Sequence, residues 1–395
     1  MILIKNEKDC CGCAACSSVC PVQCITMVEG TLGHVFPKVD TKKCIGCNQC
    51  EMVCPILKPA KNTEDNQNIY AAYSKNNEIR YNGSSGGMFG TFATFLIEQG
   101  YKVYGAAFDE NLTLKCTCVD NKSDLLPLMK SKYIQSDLSN KYSEIKKNLQ
   151  EGRKVLFVST PCQVSALKNY LKKEYDNLVT IDFFCHGVPS QSFFDKCKKY
   201  VEEKHKIKVT GYIFRTKVKN GSTPHYFTIK YIENDYEKSK TKLYFDSPFY
   251  AAFQKYICLR ESCYDCTFSS KERNSDITIA DFHDIEKYIN DINRFEGVST
   301  VITNTQKGKK VLDNCKDSLY IKEMNMKQLI DDKVCFNGGT QRPKNRDEFI
   351  DDYNKMNFDK FVEKWMNPKK YWKQRIYYSL PSVIRNNVKK ILGVK

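Results

Sequence analysis

Two runs of cysteine near the N-terminus constrain this chain more than any other feature. Cys10, Cys13, Cys16 and Cys20 follow the spacing C-x2-C-x2-C-x3-C, with Pro21 next, and Cys44, Cys47, Cys50 and Cys54 repeat it, with Pro55 next. The first three thiolates of such a run lie on a tight loop and reach three corners of one iron–sulfur cubane. The fourth, held just before proline, serves the other cubane. The spacing therefore predicts two 4Fe–4S clusters with crossed ligation, Cys10, Cys13, Cys16 and Cys54 on one and Cys44, Cys47, Cys50 and Cys20 on the other. A structural zinc site would show two separated pairs with a longer insert. A disulfide framework would need an oxidising compartment. The stretches starting at Cys24 and His34 read as short strands closing over the clusters, and Cys11 and Cys24 as bystander thiols. Such a unit implies one-electron chemistry.

The 395 residues leave room for a large core beside this small unit. Charges follow Met1–Ile4 at once and no long apolar run occurs, so neither a signal peptide nor a membrane span is expected. Twenty cysteines without a secretion signal point to reduced thiols and metal, in an anaerobic cytoplasm. The net charge of +16 is uneven: from Lys364 to Lys395 nine Lys or Arg face no Asp or Glu. The remaining basic surface would steer an acidic ferredoxin or flavodoxin to the clusters, or is simply solvated.

Residues 1–60 form the expected 2[4Fe–4S] ferredoxin domain and 61–69 a polar linker. Residues 70–345 alternate strand-like and helix-like stretches. Strands are expected at Ile69–Tyr73, Val103–Phe108, Lys154–Ser159 and Leu178–Phe184, and helices at Met88–Ile97 and Pro161–Tyr170. This alternation predicts an α/β (α+β) domain behind a small ferredoxin-like one. Gly221 to Phe249 reads as antiparallel strands, and residues 346–395 as a basic, aromatic, helical tail.

The segment Tyr81-Asn82-Gly83-Ser84-Ser85-Gly86-Gly87 precedes a helix. Hydroxyls, glycines and a helix N-terminus suit a phosphate, although a glycine-rich turn of this kind is often only a turn. It is neither a Walker A loop nor the spaced Gly-x-Gly-x-x-Gly fingerprint. Five further segments follow in order: Ser131-Lys132-Tyr133-Ile134-Gln135-Ser136, Ser159-Thr160-Pro161-Cys162-Gln163, Phe184-Cys185-His186-Gly187-Val188-Pro189-Ser190, Leu259-Arg260-Glu261-Ser262-Cys263-Tyr264-Asp265-Cys266 and Asp276-Ile277-Thr278-Ile279-Ala280-Asp281-Phe282. With the Ser-Ser-Gly-Gly loop they resemble the beta-subunit family of coenzyme F420 hydrogenases and dehydrogenases, from about Tyr70 to about Arg342.

The resemblance implies an iron–sulfur flavoprotein with non-covalent FAD, held partly by Ser84, Ser85, Gly86 and Gly87 and by the region of Lys132 and Tyr133. It implies electron exchange between clusters and flavin, and hydride exchange at the flavin. Where Gly-Asp-Phe-Trp is expected, this chain has Ala280-Asp281-Phe282-His283, which leaves the local geometry open. Cys162, Cys185, Cys263 and Cys266 form a candidate ligand set for a third 4Fe–4S cluster, similar to the one carried in the family, with Cys258 as competitor. The alternative is that they are core thiols. Cys116, Cys118, Cys197, Cys315 and Cys335 read as bystanders.

No residue is assigned to catalysis. His186 is a candidate proton donor or a structural hydrogen-bonder, and His283 and His225 are weaker candidates. In the tail, Trp365, Tyr371, Trp372, Tyr377 and Tyr378 interleave with lysine and arginine. That pattern suits a helix lying on the anionic inner face of a membrane, or one docked on the body. No nucleic-acid motif accompanies the charge. The expected activity is an iron–sulfur, FAD-dependent oxidoreductase linking a one-electron carrier to a two-electron substrate. Some members of the family accompany surface-polysaccharide synthesis, and a basic tail would suit that setting. The alternative is a non-catalytic electron-transfer subunit feeding a partner reductase or hydrogenase.

Overall fold

The structure, a computed structural model, describes every residue except 60–66, 219–225, 284, 291, 293–295, 326–327, 329–337, 381–383 and 385–395. In the N-terminal unit β1 (Ile25–Glu29) pairs antiparallel with β2 (Val35–Val39). The two cysteine runs share a backbone path. Gly12 and Ala14 in the first, and Gly46 and Asn48 in the second, take φ of +67°, +61°, +70° and +56°. Each left-handed pair feeds a short helix, Ala15–Val19 or Gln49–Met52, that carries Cys16 or Cys50. The repeat in spacing is thus also a repeat in conformation.

Eleven further strands are described: β3 (Asn68–Ser74), β4 (Tyr101–Phe108), β5 (Leu114–Val119), β6 (Lys154–Val158), β7 (Leu178–Phe183), β8 (Lys208–Ile213), β9 (Tyr226–Glu233), β10 (Tyr236–Leu243), β11 (Ile277–Asp281), β12 (Ser299–Thr303) and β13 (Leu319–Met324). Strand β3 begins two residues before the expected domain start at residue 70, within the expected 61–69 linker. Eight strands form one sheet in the order β13-β3-β12-β11-β7-β6-β4-β5. Pairs β4–β6, β6–β7 and β7–β11 are parallel, while β12 runs antiparallel to both β11 and β3. The chain therefore runs the same way along β3, β4, β6, β7 and β11, and their carboxyl ends open on one edge.

The central strands are buried on both faces, as parallel strands must be. Leu156, Val179 and Ile181 pack under helices Met88–Glu98 and Gln306–Cys315, beside Phe92, Leu96 and Leu312. Their sequence neighbours Val155, Phe157 and Leu178 face the other way, under helices Lys141–Gln150 and Pro161–Leu171. Ala15 and Val53 of the N-terminal unit join this second layer. The period-two alternation of a strand thus builds both cores at once.

A three-stranded antiparallel sheet, β10-β9-β8, packs with helices Gln191–His205, Pro248–Gln254, Arg346–Lys355 and Phe358–Met366. Phe249, expected on a strand, lies on helix Pro248–Gln254, which Ser247 caps through the Tyr250 N–H at 3.2 Å. For the start of the tail, the structure takes the second of the two expected arrangements, docking on the body. Phe361, Val362, Trp365 and Met366 are buried, and the Trp365 indole donates to Asp352 Oδ2 at 2.8 Å. Tyr371 stacks on Phe245 at 5.1 Å. Trp365 and Tyr371 therefore belong to the body. An amphipathic helix shows the same pattern whether its apolar face meets a core or a membrane. Among the described residues of the tail, exposed large apolar side chains lie only beyond Tyr371, at Trp372, Ile376 and Ile384. Among the described residues no helix is long and apolar enough to cross a membrane.

Candidate functional site

The carboxyl ends of β4, β6, β7 and β11 meet at a cavity of about 610 Å³. Open sheets admit ligands at this edge because loops leaving neighbouring parallel strands converge there. Two chemically distinct groups line the cavity. One comprises Ser84, Ser85, Gly87, Lys130, Lys132, Tyr133, Arg215, Asp281 and His283; the other is Cys11, Cys162, Cys185, Cys263 and Cys266.

The Ser84–Gly87 loop is held from behind. Ser84 Oγ accepts from the Ser131 N–H at 2.8 Å, and Ser85 Oγ donates to the Val298 carbonyl. The Gly86 N–H donates to Ser299 Oγ at 2.9 Å and the Gly87 N–H to the Ser84 carbonyl at 2.9 Å. A Cβ on Gly86 would stand 2.5 Å from the Ala72 carbonyl oxygen. Gly87, at φ +80°, starts helix Met88–Glu98. Gly86 therefore stands behind the cavity wall with its N–H already bonded, whereas Ser84, Ser85 and Gly87 form the wall.

Lys132 Nζ donates to the Met129 carbonyl at 2.6 Å. Burial, with the Lys130 cation adding, pushes its ammonium down to about 7. Lys217 donates to the Ser85 carbonyl at 2.7 Å and to that of Arg80, and burial pushes it down to about 7 as well. Arg215 grips Asp281 through both Nη atoms at 2.7 Å. Burial raises the Asp281 carboxyl, but this guanidinium outweighs it and holds the group well below the usual carboxylate range. Tyr133 stacks on Phe253 at 4.2 Å. A cavity wall of small residues with several half-buried cations fits an anionic cofactor.

The thiol group comes from three loops. Cys162 opens helix Pro161–Leu171 after β6, Cys185 follows β7, and Cys263 and Cys266 lie just beyond Arg260. Cys185 lies within electrostatic reach of the other three. Burial pushes Cys263 up to about 12 and Cys266 up to about 11. Thiols in such surroundings ionise when a metal takes the charge, so the donor set fits an iron–sulfur group. Among the described residues no three His, Cys, Asp or Glu side chains close on a single metal ion. A cubane spreads its thiolates more widely than one ion does. The competitor Cys258 lies beside Cys197 in a different core, away from the cavity.

In the N-terminal unit the structure brings Cys10, Cys13, Cys16 and Cys54 together. Burial, then Cys10 and Cys54, pushes Cys16 up to about 12, and Cys13 adjoins both Cys10 and Cys16. Cys20, Cys44, Cys47 and Cys50 line a second, smaller cavity. Both presumed bystanders lie beside these groups. Cys24 Sγ is 3.4 Å from Cys20 Sγ, and Cys11 and Cys162 stand close enough across the junction with the body to act on each other's ionisation. The junction is hydrogen-bonded. Gln135 Nε2 donates to the Cys11 and Gly12 carbonyls at 2.8 and 3.1 Å, and the Tyr142 hydroxyl to the Cys13 carbonyl at 2.8 Å.

His186 and His283 line the cavity, whereas His225 and Cys335 lie outside the described residues. Sequence reading missed Cys11, Arg215 and Lys217. The Cys10-Cys11 doublet was a visible signal for the first. Nothing local marks Arg215, whose left-handed φ of +54° is a property of the fold.

The family of the C-terminal part of the coenzyme F420 hydrogenase/dehydrogenase beta subunit matches residues 152–328, and a 4Fe-4S binding domain matches residues 36–59. The first match holds Cys162, Cys185, Cys263, Cys266, Arg215 and Asp281 but not the Ser84–Gly87 loop or Lys132. The second holds only the Cys44–Cys54 run. No curated protein matches the chain. Among solved structures, a chain of the F420-reducing NiFe hydrogenase complex from Methanosarcina barkeri is 16% identical, with a TM-score of 0.41, covering 67% of this chain and 82% of that one. A likeness this loose specifies neither fold detail nor chemistry. Residues 152–328 thus match the family of the C-terminal part of the coenzyme F420 hydrogenase/dehydrogenase beta subunit, and a 4Fe–4S binding domain match lies toward the N-terminus.

Proposed function

We propose that the chain is an iron–sulfur flavoprotein oxidoreductase that passes electrons between a ferredoxin-type carrier and a two-electron substrate. Its sites would take three 4Fe–4S clusters and one FAD. The observation that carries this reading is the shared cavity, in which one wall presents thiols and the other small residues and half-buried cations. When bound, the clusters supply single-electron relay and the flavin converts between one- and two-electron steps. The chain's own residues bind and orient. Cys20, Cys44, Cys47 and Cys50 would hold the outer cluster, where Cys47 is exposed to a carrier. Cys10, Cys13, Cys16 and Cys54 would hold the inner one, and Cys162, Cys185, Cys263 and Cys266 the third. Ser84, Ser85, Gly87, Lys132 and Tyr133 would line the flavin site, with Lys217 fastening the loop and Gly86 filling its back.

Iron and flavin content per chain, measured on anaerobically purified protein, tests this. About twelve irons and about one FAD are expected. About eight irons with FAD would return Cys162, Cys185, Cys263 and Cys266 to the core. Flavin absent even after reconstitution would remove the enzyme reading. The matching family is named for a subunit, which favours a second reading in which the flavin serves a partner reductase or hydrogenase. Dye reduction without turnover of any small substrate would favour that reading.

A further inference from the structure

Among the described residues four arginines are buried, and one of them is unlike the rest. Arg80 lies 3.1 Å from Glu296, Arg273 lies 3.5 Å from Asp182, and Arg346 lies 2.9 Å from Glu261. Arg260 is 0% exposed, yet among the described residues no carboxylate stands within ion-pair distance of it. Its Nε donates to Gln135 Oε1 at 3.0 Å, its Nη1 to the Cys10 carbonyl at 3.1 Å and its Nη2 to the Val35 carbonyl at 2.8 Å. All three acceptors are neutral. Its sequence neighbour Glu261 is turned toward Arg342 and Arg346 instead. A guanidinium wholly removed from water without a counter-charge is strongly unfavourable. The ionisable groups that its charge reaches are the buried His34, whose imidazole burial and this cation hold well below the usual range, and three thiols that alone among them could answer it with negative charge: Cys10 on the N-terminal side, and Cys162 and Cys263 on the cavity side.

We infer that Arg260 is the fixed counter-charge of the junction between the Cys10 cluster and the Cys162 group, and that it raises the reduction potential of the clusters it faces above that of the outer one. The inference rests on the cluster reading given above. Metal-bound thiolates are the anions that a buried arginine at this place lacks. A cluster becomes more negative on reduction, so a cation held beside it favours the reduced form, and cluster potentials respond to local charge and hydrogen bonds of this kind. Arg260 touches the ligands' chain and not a substrate, so it is a positioning residue. Its place at the seam also makes it a latch, because it bonds both the first cysteine loop and β2.

The test is a potentiometric titration followed by EPR on anaerobic full-length protein, comparing wild type, Arg260→Met and Arg260→Lys, with iron counted on each sample. Arg260→Met is expected to lower the potentials of the Cys10 cluster and of the cavity cluster, with the outer cluster unmoved. Arg260→Lys is expected to stay near wild type, since it keeps the charge. Unmoved potentials in Arg260→Met, an equal shift of all clusters, or a Lys variant shifted as far as the Met variant would overturn the inference. Should Arg260→Met lose iron, Gln135→Glu gives Arg260 a carboxylate without removing it. The same selective lowering is then expected, and its absence overturns the inference. Wild-type protein with only about eight irons would instead overturn the third-cluster assignment, and Arg260 would then be decided at the Cys10 cluster alone.

Discussion

The two cysteine loops of the N-terminal unit have the same spacing and the same backbone path but opposite surroundings. In the first, a Cβ on Gly12 would lie 2.3 Å from Arg260 Nη2; in the second, a Cβ on Gly46 would meet nothing within 4 Å. In the first loop Cys11, Cys13 and Cys16 are buried, whereas in the second Cys50 is buried, Cys44 is half-buried and Cys47 is exposed. Exposed apolar side chains flank the second loop, at Val22 and Ile45. An ancestral-looking repeat has thus been divided into a face that is built into the protein and a face left for an outside partner. Symmetry of sequence says how a loop would hold metal, and the asymmetry of its surroundings says which loop an outside partner can reach.

The comparison can be broken most directly at the two glycines. Both have left-handed φ, so alanine strains either one by about 1 kcal/mol. At Gly46 that strain should be the whole effect, read by anaerobic denaturant unfolding. At Gly12 the added methyl must also displace Arg260 from the junction. Gly12→Ala should therefore lose the inner iron or the fold, several times the cost at Gly46. Equal losses would show that the two loops are not differently placed.

Next in size, Cys50→Ala should remove about four of about twelve irons and leave flavin content unchanged. Loss of flavin with it would show that the outer loop supports the cavity, contrary to the separation seen here.

The pH dependence of flavin binding sharpens the contrast at the cavity. Lys132 is held down to about 7, so above that pH the empty site carries it largely neutral. A phosphate bound nearby would restore the charge and take up a proton. Affinity should fall as pH rises above about 7, by up to roughly tenfold per unit for one proton. Lys132→Met should flatten that slope. An unchanged slope would place the anion elsewhere.

The smallest effect is expected from removing the chain beyond Tyr371. This should spare iron, flavin and stability, but should abolish sedimentation with anionic vesicles. Unchanged sedimentation would end the idea of membrane contact. A cut at Lys364 would be uninformative, because it also removes Trp365 and Met366 from the core.

Much of this was legible in the sequence because ligand spacing along a short loop is a local property. The Cys10–Cys20 and Cys44–Cys54 runs, strand Leu178–Phe183 and helix Met88–Glu98 all follow from residues within a few positions of one another. What escaped depends on distant contacts. Cys11 looked incidental because Cys162, which it meets, is far along the chain. Arg260 bonds the Cys10 carbonyl across 250 positions. Gly86 looked like part of a phosphate cradle, and only the neighbouring strands β3 and β12 show that it fills their seam. For Trp365 the sequence left a membrane surface and the body as alternatives, because amphipathy reports an apolar face and not what covers it.

The junction has one more consequence. With the N-terminal unit fastened through Arg260, Gln135, Tyr142 and Ser190, which bonds the Leu32 carbonyl at 2.5 Å, it is an inlay and not a tethered shuttle. Traffic between it and the body then needs no collision, so its speed should not depend on protein concentration or on salt. Dilution and ionic strength should act only at the exposed loop, where a separate molecule has to arrive.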